Sequence, residues 1–447
     1  MKTNSPNGKH SRCKVNIILG QLTTRTINKI AHSQGYIQRK SFAIRPKSFV
    51  LGFLLMVSKQ RNTYQDWATE IGLIEGRSFS KQALNERMLP QTELFVKQVV
   101  EETISKQVQL KTSTKVKGVL RHFGNVMIDD STTISLPEAL TGAFPGNVSK
   151  GVQKAQAKIH AMYNMTENNF LFLHVHSFSN NDQGLSPNVI PYLKEGDLCL
   201  RDLGFTILEV ISEFVDKGIC FIARKSYTTN VYDVDTKKEL NLLKELRKNN
   251  FIDKPVLVGK KKKIKLRLVA IAVPVEQAAI RRRRAKADRD RRLNHSPEYY
   301  ELLGYSIYIT NVTTEQCNAE EIFQLYKLRW RIEIIFKSWK SCFSIEKLIH
   351  HQCTNAIRVK CIIYLMLLYI YLFHVVWWKY CEDKIKTGSE QVELSILKLA
   401  NFFKNHFTQI ITSKSDQQII KQILKHCCYD KRRDRLNAKQ FQIKLAA

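Results

Sequence analysis

The stretch GNVMIDDSTTISL, residues 124–136, marks the point where the pattern of the chain changes from helical to strand-like. Its apolar run at 126–128 predicts a short buried strand that ends in the acidic pair Asp129 and Asp130. Residues 12–114, which precede it, carry apolar side chains at helical spacing. The chain therefore predicts a helical region followed by a sheet.

The segments after this strand predict a mixed α/β sheet. KIHAMYNMTENNFLFLHVHSF, residues 158–178, alternates on both sides of the polar turn at 166–169 and predicts a hairpin. DLCLRD (197–202) and GICFIAR (218–224) predict two more strands, and residues 205–217 predict an amphipathic helix between them. Strands that alternate with helices in this order indicate an α/β fold.

Residues 226–304 interrupt this pattern with a strongly basic segment. It contains the strand candidate KKKIKLRLVAIAVPV (261–275) and then RRRRAKADRDRR (281–292). YSIYITNV (305–312) resumes the sheet pattern, and residues 345–447 are predicted to be helical. A solvated surface explains many charge runs, but this one lies between strands of a basic chain, which favours contact with a DNA backbone.

The composition excludes a disordered chain and points to a polyanionic partner. The 447 residues hold 44% hydrophobic and 10% aromatic side chains, enough to build cores for two to four domains. The chain has 71 Lys and Arg against 40 Asp and Glu, a formal net charge of +31. Such a surplus is typical of proteins that bind nucleic acid and, less often, of proteins that bind anionic membranes.

The polar N-terminus, residues 1–14, has no apolar core of signal-peptide length. None of the ten cysteines forms a Cys-x-x-Cys pair, which argues against zinc and for buried thiols in a reducing cytoplasm. Two histidine pairs likewise lack diagnostic ligand spacing: His174 with His176, and His350 with His351. We therefore expect a cytoplasmic protein without zinc.

The apolar stretch CIIYLMLLYIYLFHVVWW, residues 361–378, is just long enough to cross a membrane. Its one obvious polar break is His374, and basic residues lie on both sides, at Arg358, Lys360 and Lys379. A single segment without a charge asymmetry favours a buried helix of a large protein. The expected partners therefore do not include a membrane.

Residues 63–89 predict a helix, a glycine-containing turn and a second helix, with Ser78 or Ser80 as the N-cap of the second. This arrangement is compatible with a helix-turn-helix DNA reader. Any small helical bundle has the same pattern, so both interpretations stay open.

LYKLRWRIEIIFKSWK, residues 325–340, is a predicted helix that presents Tyr326, Arg329, Glu333 and Lys340 within an arc of roughly 60°. The opposite side is apolar and suited to packing on a sheet: Leu325, Leu328, Ile332, Ile335 and Trp339. A solvated polar face is the commonest role of such a stripe. Its mixture of a phenol, cations and an acid, however, favours a phosphodiester, with the cations on phosphate oxygens.

Two further acids could join Glu333 around a metal ion. Asp130 closes the strand in IDDST, and Asp202 closes the strand in LCLRD. If these strands are neighbours, both carboxylates reach one edge of the sheet, although a lone acid at a strand end is more often a turn residue. Three carboxylates form an oxygen site suited to Mg²⁺ or Mn²⁺, and paired ions can activate an attacking oxygen and stabilise a leaving one.

These residues together resemble the IS-four family of bacterial DDE transposases over roughly residues 40 to 360. The resemblance rests on Asp130-Ser131-Thr132, on Asp202-Leu203-Gly204, and on the array Tyr-x2-Arg-x3-Glu-x6-Lys at Tyr326, Arg329, Glu333 and Lys340. The strand end FIAR with Arg224, the ITN segment with Asn311 and the RWRIE core add to it. The helix array is specific in combination with both Asp motifs, whereas Asp-Ser-Thr alone would be a weak signal.

The resemblance implies an RNase H-like catalytic core, a mixed sheet with flanking helices, interrupted by a β-rich insertion and bounded by helical N- and C-terminal regions. It divides the chain into five parts. These are a DNA-binding region (1–114), the first part of the core (115–225), the basic insertion (226–304), the second part of the core (305–360) and a C-terminal region (361–447).

The resemblance also implies cut-and-paste transposition of an insertion sequence. Asp130, Asp202 and Glu333 would bind two Mg²⁺ or Mn²⁺ ions for hydrolysis at the element ends and for strand transfer of the 3′-OH. Tyr326, Arg329 and Lys340 would bind DNA phosphates. The implied partners are double-stranded DNA, as terminal inverted repeats and target, and a second copy of the chain in a homodimer with two ends, in the bacterial cytoplasm and at its nucleoid.

The chain departs from the family pattern at two positions. Leu203 stands where an Arg commonly follows the second Asp, so one basic contact is missing, and Asp129 makes the choice of Asp130 ambiguous. We prefer Asp130 because it directly precedes Ser131. A metal-dependent nuclease without strand transfer and a transposase-derived DNA-binding protein without catalysis are the alternatives.

Overall fold

The computed structural model describes residues 22–38, 44–109, 118–149, 151–287, 296–378, 380–381, 385, 394–412 and 417–429. The predictions for the N-terminus at 1–14, the end of the basic run at 288–292 and the last part of the predicted helical region, 430–447, lie outside these residues. Within them, helices cover both faces of one ten-stranded sheet.

In the described part of the chain before the sheet there are five helices: α1 Thr24–Ser33, α2 Pro46–Ser58, α3 Tyr64–Glu75, α4 Lys81–Asn85 and α5 Pro90–Gln109. Local sequence sets the ends of α3, where Thr63 and Asp66 form a capping box and Gly76 takes the left-handed conformation at φ 70°. The hydroxyl of Ser80, not that of Ser78, caps α4 by accepting from the backbone N–H of Ala83. The predicted helix–turn–helix is present, with a second helix of five residues.

The strands are β1 Val126–Leu136, β2 Pro145–Ser149, β3 Val152–Asn164, β4 Asn169–Ser177, β5 Leu198–Arg201, β6 Cys220–Arg224, β7 Val231–Asp233, β8 Phe251–Val258, β9 Ile264–Ala272 and β10 Tyr305–Thr310. Their order in the sheet is β2-β3-β1-β5-β6-β10-β9-β8-β7, and β4 pairs with β3. Strands β1, β5 and β6 are parallel, and the other pairs are antiparallel. The mixed α/β sheet and the β3–β4 hairpin are as predicted.

The remaining helices are α6 Asp182–Leu185, α7 Leu208–Asp216, α8 Leu242–Asn249, α9 Val275–Lys286, α10 Pro297–Leu302, α11 Ala319–Lys327, α12 Trp330–Ser341, α13 Ala356–Tyr371, α14 Ile396–Thr412 and α15 Gln417–His426. Short 3₁₀ turns lie at Gly118–His122, Glu138–Leu140, Ser186–Tyr192, Leu203–Phe205 and Ile345–Leu348. Helices α12 and α13 pack on one face of the sheet, and α7 packs on the other.

The first strand is longer than predicted. It does not end in the acids but continues to Leu136, because β3 pairs with it from Met127 onward and places Ala161 opposite Asp130. Its parallel pairing with β5 ends earlier, where Asp129 lies opposite Arg201. The prediction that Asp130 closes a strand was therefore wrong: the residue lies inside β1, one position beyond the end of the ladder with β5.

In its described residues, 226–287 and 296–304, the basic segment contains three strands, β7 to β9, and three helices, α8 to α10. Its strands join the same sheet, because β10 pairs with β6 on one side and with β9 on the other. The segment therefore extends the sheet that carries β1 and β5 and does not form a second one.

The long apolar helix lies in the core. Among the described residues, the run Ala356–Val375 is long and apolar enough to cross a membrane, but 78% of that window is buried inside the protein. Helix α13 contacts α2, α5 and β4, and a π-helical turn, Leu372–Trp378, follows it. Its neighbours are protein, as expected for a buried helix.

Candidate active site

The two-residue period of β1 sends its adjacent acids to opposite faces of the sheet. Asp129 is fully buried and binds the Nε2 atom of His160 and the guanidinium of Arg201. Asp130 lies on the other face, where its side chain meets Arg329 at the start of α12. The register therefore resolves the ambiguity in the motif, since only Asp130 faces the helix that carries Glu333.

Asp130 lies in a buried and charged environment. Its Oδ2 accepts from Nη1 of Arg329 at 3.0 Å, and its Oδ1 accepts from the backbone N–H of Ser131 at 2.8 Å. Burial raises the pKa of Asp130 to about 7, with further increases from Asp202 and Asp129, although Arg329 and the Ser131 amide oppose the shift. The carboxylate is consequently easier to protonate than an ordinary aspartate.

Glu333 shares the same cation. It lies in the first turn of α12, and its Oε1 accepts from Nη2 of Arg329 at 2.5 Å. One guanidinium thus joins the carboxylate of Asp130 on a strand to that of Glu333 on a helix, although the two residues are 203 positions apart in the sequence. The Nε atom of Arg329 has no hydrogen-bond partner within the described structure.

Asp202 directly follows β5 and is held by Tyr326. The phenol of Tyr326 donates to Oδ1 of Asp202 at 3.3 Å, and its ring packs on Tyr308 with the centroids 4.6 Å apart. Burial and the Asp202 carboxylate raise the pKa of Tyr326 far above its ordinary value. Tyr326 therefore acts as a neutral hydrogen-bond donor, and it is buried, whereas Lys340 on the same predicted stripe is exposed.

The predicted helix at 325–340 is divided in two. Helix α11 ends at Lys327 and α12 begins at Trp330. Between them the N–H groups of Leu328 and Arg329 donate three residues back, to the carbonyls of Leu325 and Tyr326, which tightens the turn. The prediction of one continuous helix was wrong here, because periodicity does not distinguish a tightened turn from an α-helical one.

The apolar side of this array is buried as predicted. Each of its members is at most 2% exposed: Leu325, Leu328, Ile332, Ile335 and Trp339. These side chains join the larger core cluster, and the indole Nε1 of Trp339 donates to His374 at 3.3 Å. This packing fixes Glu333 at the sheet surface.

Lys340 lies two turns further along α12, about 10 Å from Glu333 along the axis, and does not contact the acids.

The carboxylates provide hard oxygen donors, which fit a divalent ion such as Mg²⁺. Among the residues that the structure describes, however, no group of three or more His, Cys, Asp or Glu side chains lies close enough to hold a metal ion. Asp130 and Glu333 bind Arg329, and Asp202 binds Tyr326. Two of the acids therefore share the Arg329 guanidinium, and the third is held by the neighbouring Tyr326.

Residues 121–371, more than half of the chain, match the family model described as a transposase DDE domain. The chain belongs to the DDE transposase family. The transposase is 27% identical over 371 residues to the transposase for insertion sequence element IS231F of Bacillus thuringiensis subsp. israelensis, covering 78% of this chain and 76% of the relative. It is 25% identical over 424 residues to that of IS231C of Bacillus thuringiensis subsp. berliner, with 90% and 87% covered. The predicted resemblance to the IS-four family is thereby confirmed.

A transposase for IS1151 of Clostridium perfringens is 25% identical over 408 residues, with 86% of this chain and 84% of the relative covered. Among solved structures, a piggyBac transposase synaptic complex with hairpin DNA aligns with 96% of this chain and 88% of its own at 7% identity and a TM-score of 0.46. The transposase function predicted from the motifs is confirmed by the family match and by the insertion-sequence transposases to which the chain is similar.

Sequence analysis missed a cluster beside Asp130. Asp182, at the start of α6, accepts on Oδ1 from Ser131 at 2.9 Å and from the nearly buried Lys158 at 2.8 Å. A Cβ atom at Gly204 would lie 3.1 Å from Oδ2 of Asp182, so the glycine of Asp-Leu-Gly permits a close approach between two loops. No signal in the sequence marks Asp182, which stands in an ordinary polar turn.

Asp130→Asn should make the transposase more stable at alkaline pH. The pKa of Asp130 rises from 3.8 to about 7 on folding, so ionisation of this carboxyl lowers the free energy of unfolding progressively from about pH 4 and fully above about pH 7. At about 1.4 kcal/mol per pKa unit, removal of this ionisation should raise the free energy of unfolding by about 4 kcal/mol at pH 8, and the gain should shrink as the pH falls from 7 to 4. Urea denaturation at several pH values measures it.

The control for this prediction is Asp216→Asn, which alters an exposed carboxylate at the end of α7. Its free energy of unfolding should follow that of the wild type at every pH. A gain from Asp130→Asn that does not depend on pH would contradict the assigned cause.

Proposed function

We propose that this transposase performs cut-and-paste transposition of its own insertion sequence. It hydrolyses phosphodiester bonds at the terminal inverted repeats and joins the freed 3′-OH to target DNA. The observation that carries the proposal is the arrangement around Arg329, which bonds Asp130 and Glu333 directly while the neighbouring Tyr326 holds Asp202. Three acids and a cation from distant parts of the chain suit a reaction on a phosphodiester.

Asp130, Asp202 and Glu333 are the proposed ligands of two divalent ions, Mg²⁺ or Mn²⁺, which when bound would polarise the phosphate and lower the pKa of the attacking water. The chain's own groups have separate tasks. Arg329 and Lys340 bind phosphate oxygens, and Tyr326 orients Asp202 by its hydrogen bond. With the three acids engaged as metal ligands, the guanidinium of Arg329 would be released from Asp130 and Glu333 and could bind the DNA backbone.

The strand order supports an RNase H-like core as the finer description of the fold. Strands β4, β3 and β1 are antiparallel neighbours, and β5 and β6 then follow parallel to β1. We infer that residues 115–225 and 305–360 form this core and that 226–304 is an insertion into it. Two copies of the chain, each bound to one element end, would form the working complex in the bacterial cytoplasm.

Helix α9 is a proposed contact with the DNA backbone. Its four consecutive arginines divide by position: Arg281 donates to the carbonyls of Leu303 and Tyr305, and Arg282 donates to that of Tyr300. Arg283 and Arg284 lie on the exposed side of the helix. The first two arginines therefore hold the helix on the protein, and the last two are available for phosphates.

Glu333→Gln should abolish cleavage of a labelled element-end DNA in Mg²⁺ and leave binding to that DNA intact. The change removes a metal-binding carboxylate but keeps the size of the side chain, so the predicted loss of rate is about a thousandfold or more. Gel electrophoresis of the cleaved strands and an electrophoretic mobility shift measure the two properties. Glu213→Gln, on the exposed face of α7, is the matched control and should cut like the wild type.

The alternatives give different products in the same assay. A nuclease without strand transfer would release the end but would not join it to target DNA. A DNA-binding protein without catalysis would bind the end and leave it uncut in both the wild type and Glu333→Gln. Either result would overturn the proposed reaction.

The double variant Arg283→Ala/Arg284→Ala should weaken binding to DNA of any sequence. Loss of two phosphate contacts should reduce the slope of log affinity against log salt concentration by about 2 on duplex DNA. Fluorescence anisotropy at several salt concentrations measures the slope.

Arg281→Ala is the contrasting variant. It should lower the melting temperature, because the carbonyls of Leu303 and Tyr305 lose their donor. It should leave the slope nearly unchanged.

A further inference from the structure

Behind the proposed catalytic acids, on the other face of the sheet, three polar side chains form a closed cluster. Asp129, His160 and Arg201 are each 0% exposed. Oδ1 of Asp129 accepts from Nε2 of His160 at 2.6 Å, and Oδ2 accepts from Nη2 and Nε of Arg201 at 2.6 and 3.2 Å. We refer to these three residues as the buried triad. None of them can reach DNA or solvent.

The triad occupies the positions immediately before the catalytic acids. Asp129 precedes Asp130, and Arg201 precedes Asp202. Asp129 and Arg201 lie directly opposite each other in the last pair of the parallel ladder between β1 and β5. Successive side chains alternate between the faces of a strand. The ion pair on one face therefore sets the separation of the Asp130 and Asp202 carboxylates on the other face.

The same triad controls the turn that follows Asp202. The ring of Phe205, in that turn, stacks on His160 with centroids 5.2 Å apart and lies 5.8 Å from the guanidinium carbon of Arg201. Ser186 adds a second link, because its carbonyl accepts from Arg201 at 2.9 Å and its hydroxyl donates to the carbonyl of Phe205 at 2.7 Å. Asp202 is therefore held from the residue before it and from the turn after it.

Stability alone does not explain the triad. Desolvation of charges is costly, and replacement of a buried ion pair by well-packed apolar residues is often neutral or stabilising. Within the described structure Nη1 of Arg201 and Nδ1 of His160 have no hydrogen-bond partner, which adds to that cost. What apolar side chains do not provide is a directional link from Asp129 of β1 to His160 of β3 and to Arg201 at the end of β5.

We propose that Asp129, His160 and Arg201 are positioning residues that set the separation of Asp130 and Asp202 for metal binding. The inference rests on the proposed function, since it takes these two aspartates as metal ligands. The triad acts through the backbone of β1 and β5, since Asp129 and Arg201 directly precede the two aspartates, and it does not touch substrate or metal. Loss of the triad should therefore lower the affinity for the metal more than it lowers the stability of the folded protein.

The test is the triple variant Asp129→Val/His160→Phe/Arg201→Met, which replaces the triad with apolar side chains. Thermal unfolding and binding of element-end DNA should stay close to wild type. Mn²⁺ affinity, measured by electron paramagnetic resonance in the complex with uncut end DNA, should fall about tenfold or more. The Mg²⁺ concentration for half-maximal cleavage should rise by a similar factor.

Arg201→Lys keeps the charge and removes the paired N–H donors, so it serves if the triple variant does not fold. It should raise half-saturating Mn²⁺ by a smaller factor, about threefold to tenfold. Arg267→Lys is its matched control, because Arg267 of β9 is also nearly buried and forms a two-bond pair with Asp253 in the same sheet. That variant should leave Mn²⁺ affinity unchanged.

The outcomes separate this inference from the proposed function. The proposed function stands if the wild type cuts and Glu333→Gln does not. The positioning role is then wrong if the folded triple variant or Arg201→Lys binds Mn²⁺ like the wild type. If Arg267→Lys weakens Mn²⁺ binding as much as Arg201→Lys, the role is also wrong, because the effect is then general to the sheet. If the wild type itself does not cut, the proposed function fails first.

Discussion

The parallel ladder between β1 and β5 ends at Asp129 and Arg201, and the geometry of the site depends on that end point. One residue further along each strand, Asp130 and Asp202 project from the opposite face, toward α11 and α12. A slip of one residue in the register would bury the pair that should be accessible and would expose the pair that is buried. The period of a β-strand thus divides two pairs of adjacent charged residues, 129–130 and 201–202, into an ion pair of the core and two acids of the site.

The electrostatics of the site follow from this division. Asp130, Asp202 and Glu333 gather on one face with Arg329, and Asp182 lies beside Asp130 with Lys158. Loss of solvation raises the pKa of Asp130, and repulsion from the carboxylates of Asp202 and Asp129 raises it further. Arg329 balances part of that charge. The large positive surplus of the chain lies elsewhere, as in the exposed part of α9.

Several features were predictable because they depend on neighbours along the chain. The hairpin of β3 and β4, the apolar side of Leu325 to Trp339 and the Ser80 cap of α4 follow from period and local chemistry. Other features depend on distant partners. Strand β1 outlasts its apolar run because β3 pairs with it, and the helix of Glu333 is interrupted at Leu328 and Arg329 by a tightened turn.

The sequence by itself determined the class of chemistry. Two Asp motifs and the Tyr-Arg-Glu-Lys spacing resemble the DDE transposase family, and the family match confirms that resemblance. Only the tertiary structure decided which acid of the Asp129–Asp130 pair faces Glu333, and that segment 226–304 extends the same sheet. The physical reason is that strand pairing and side-chain burial are set between segments far apart in the chain, which no local pattern records.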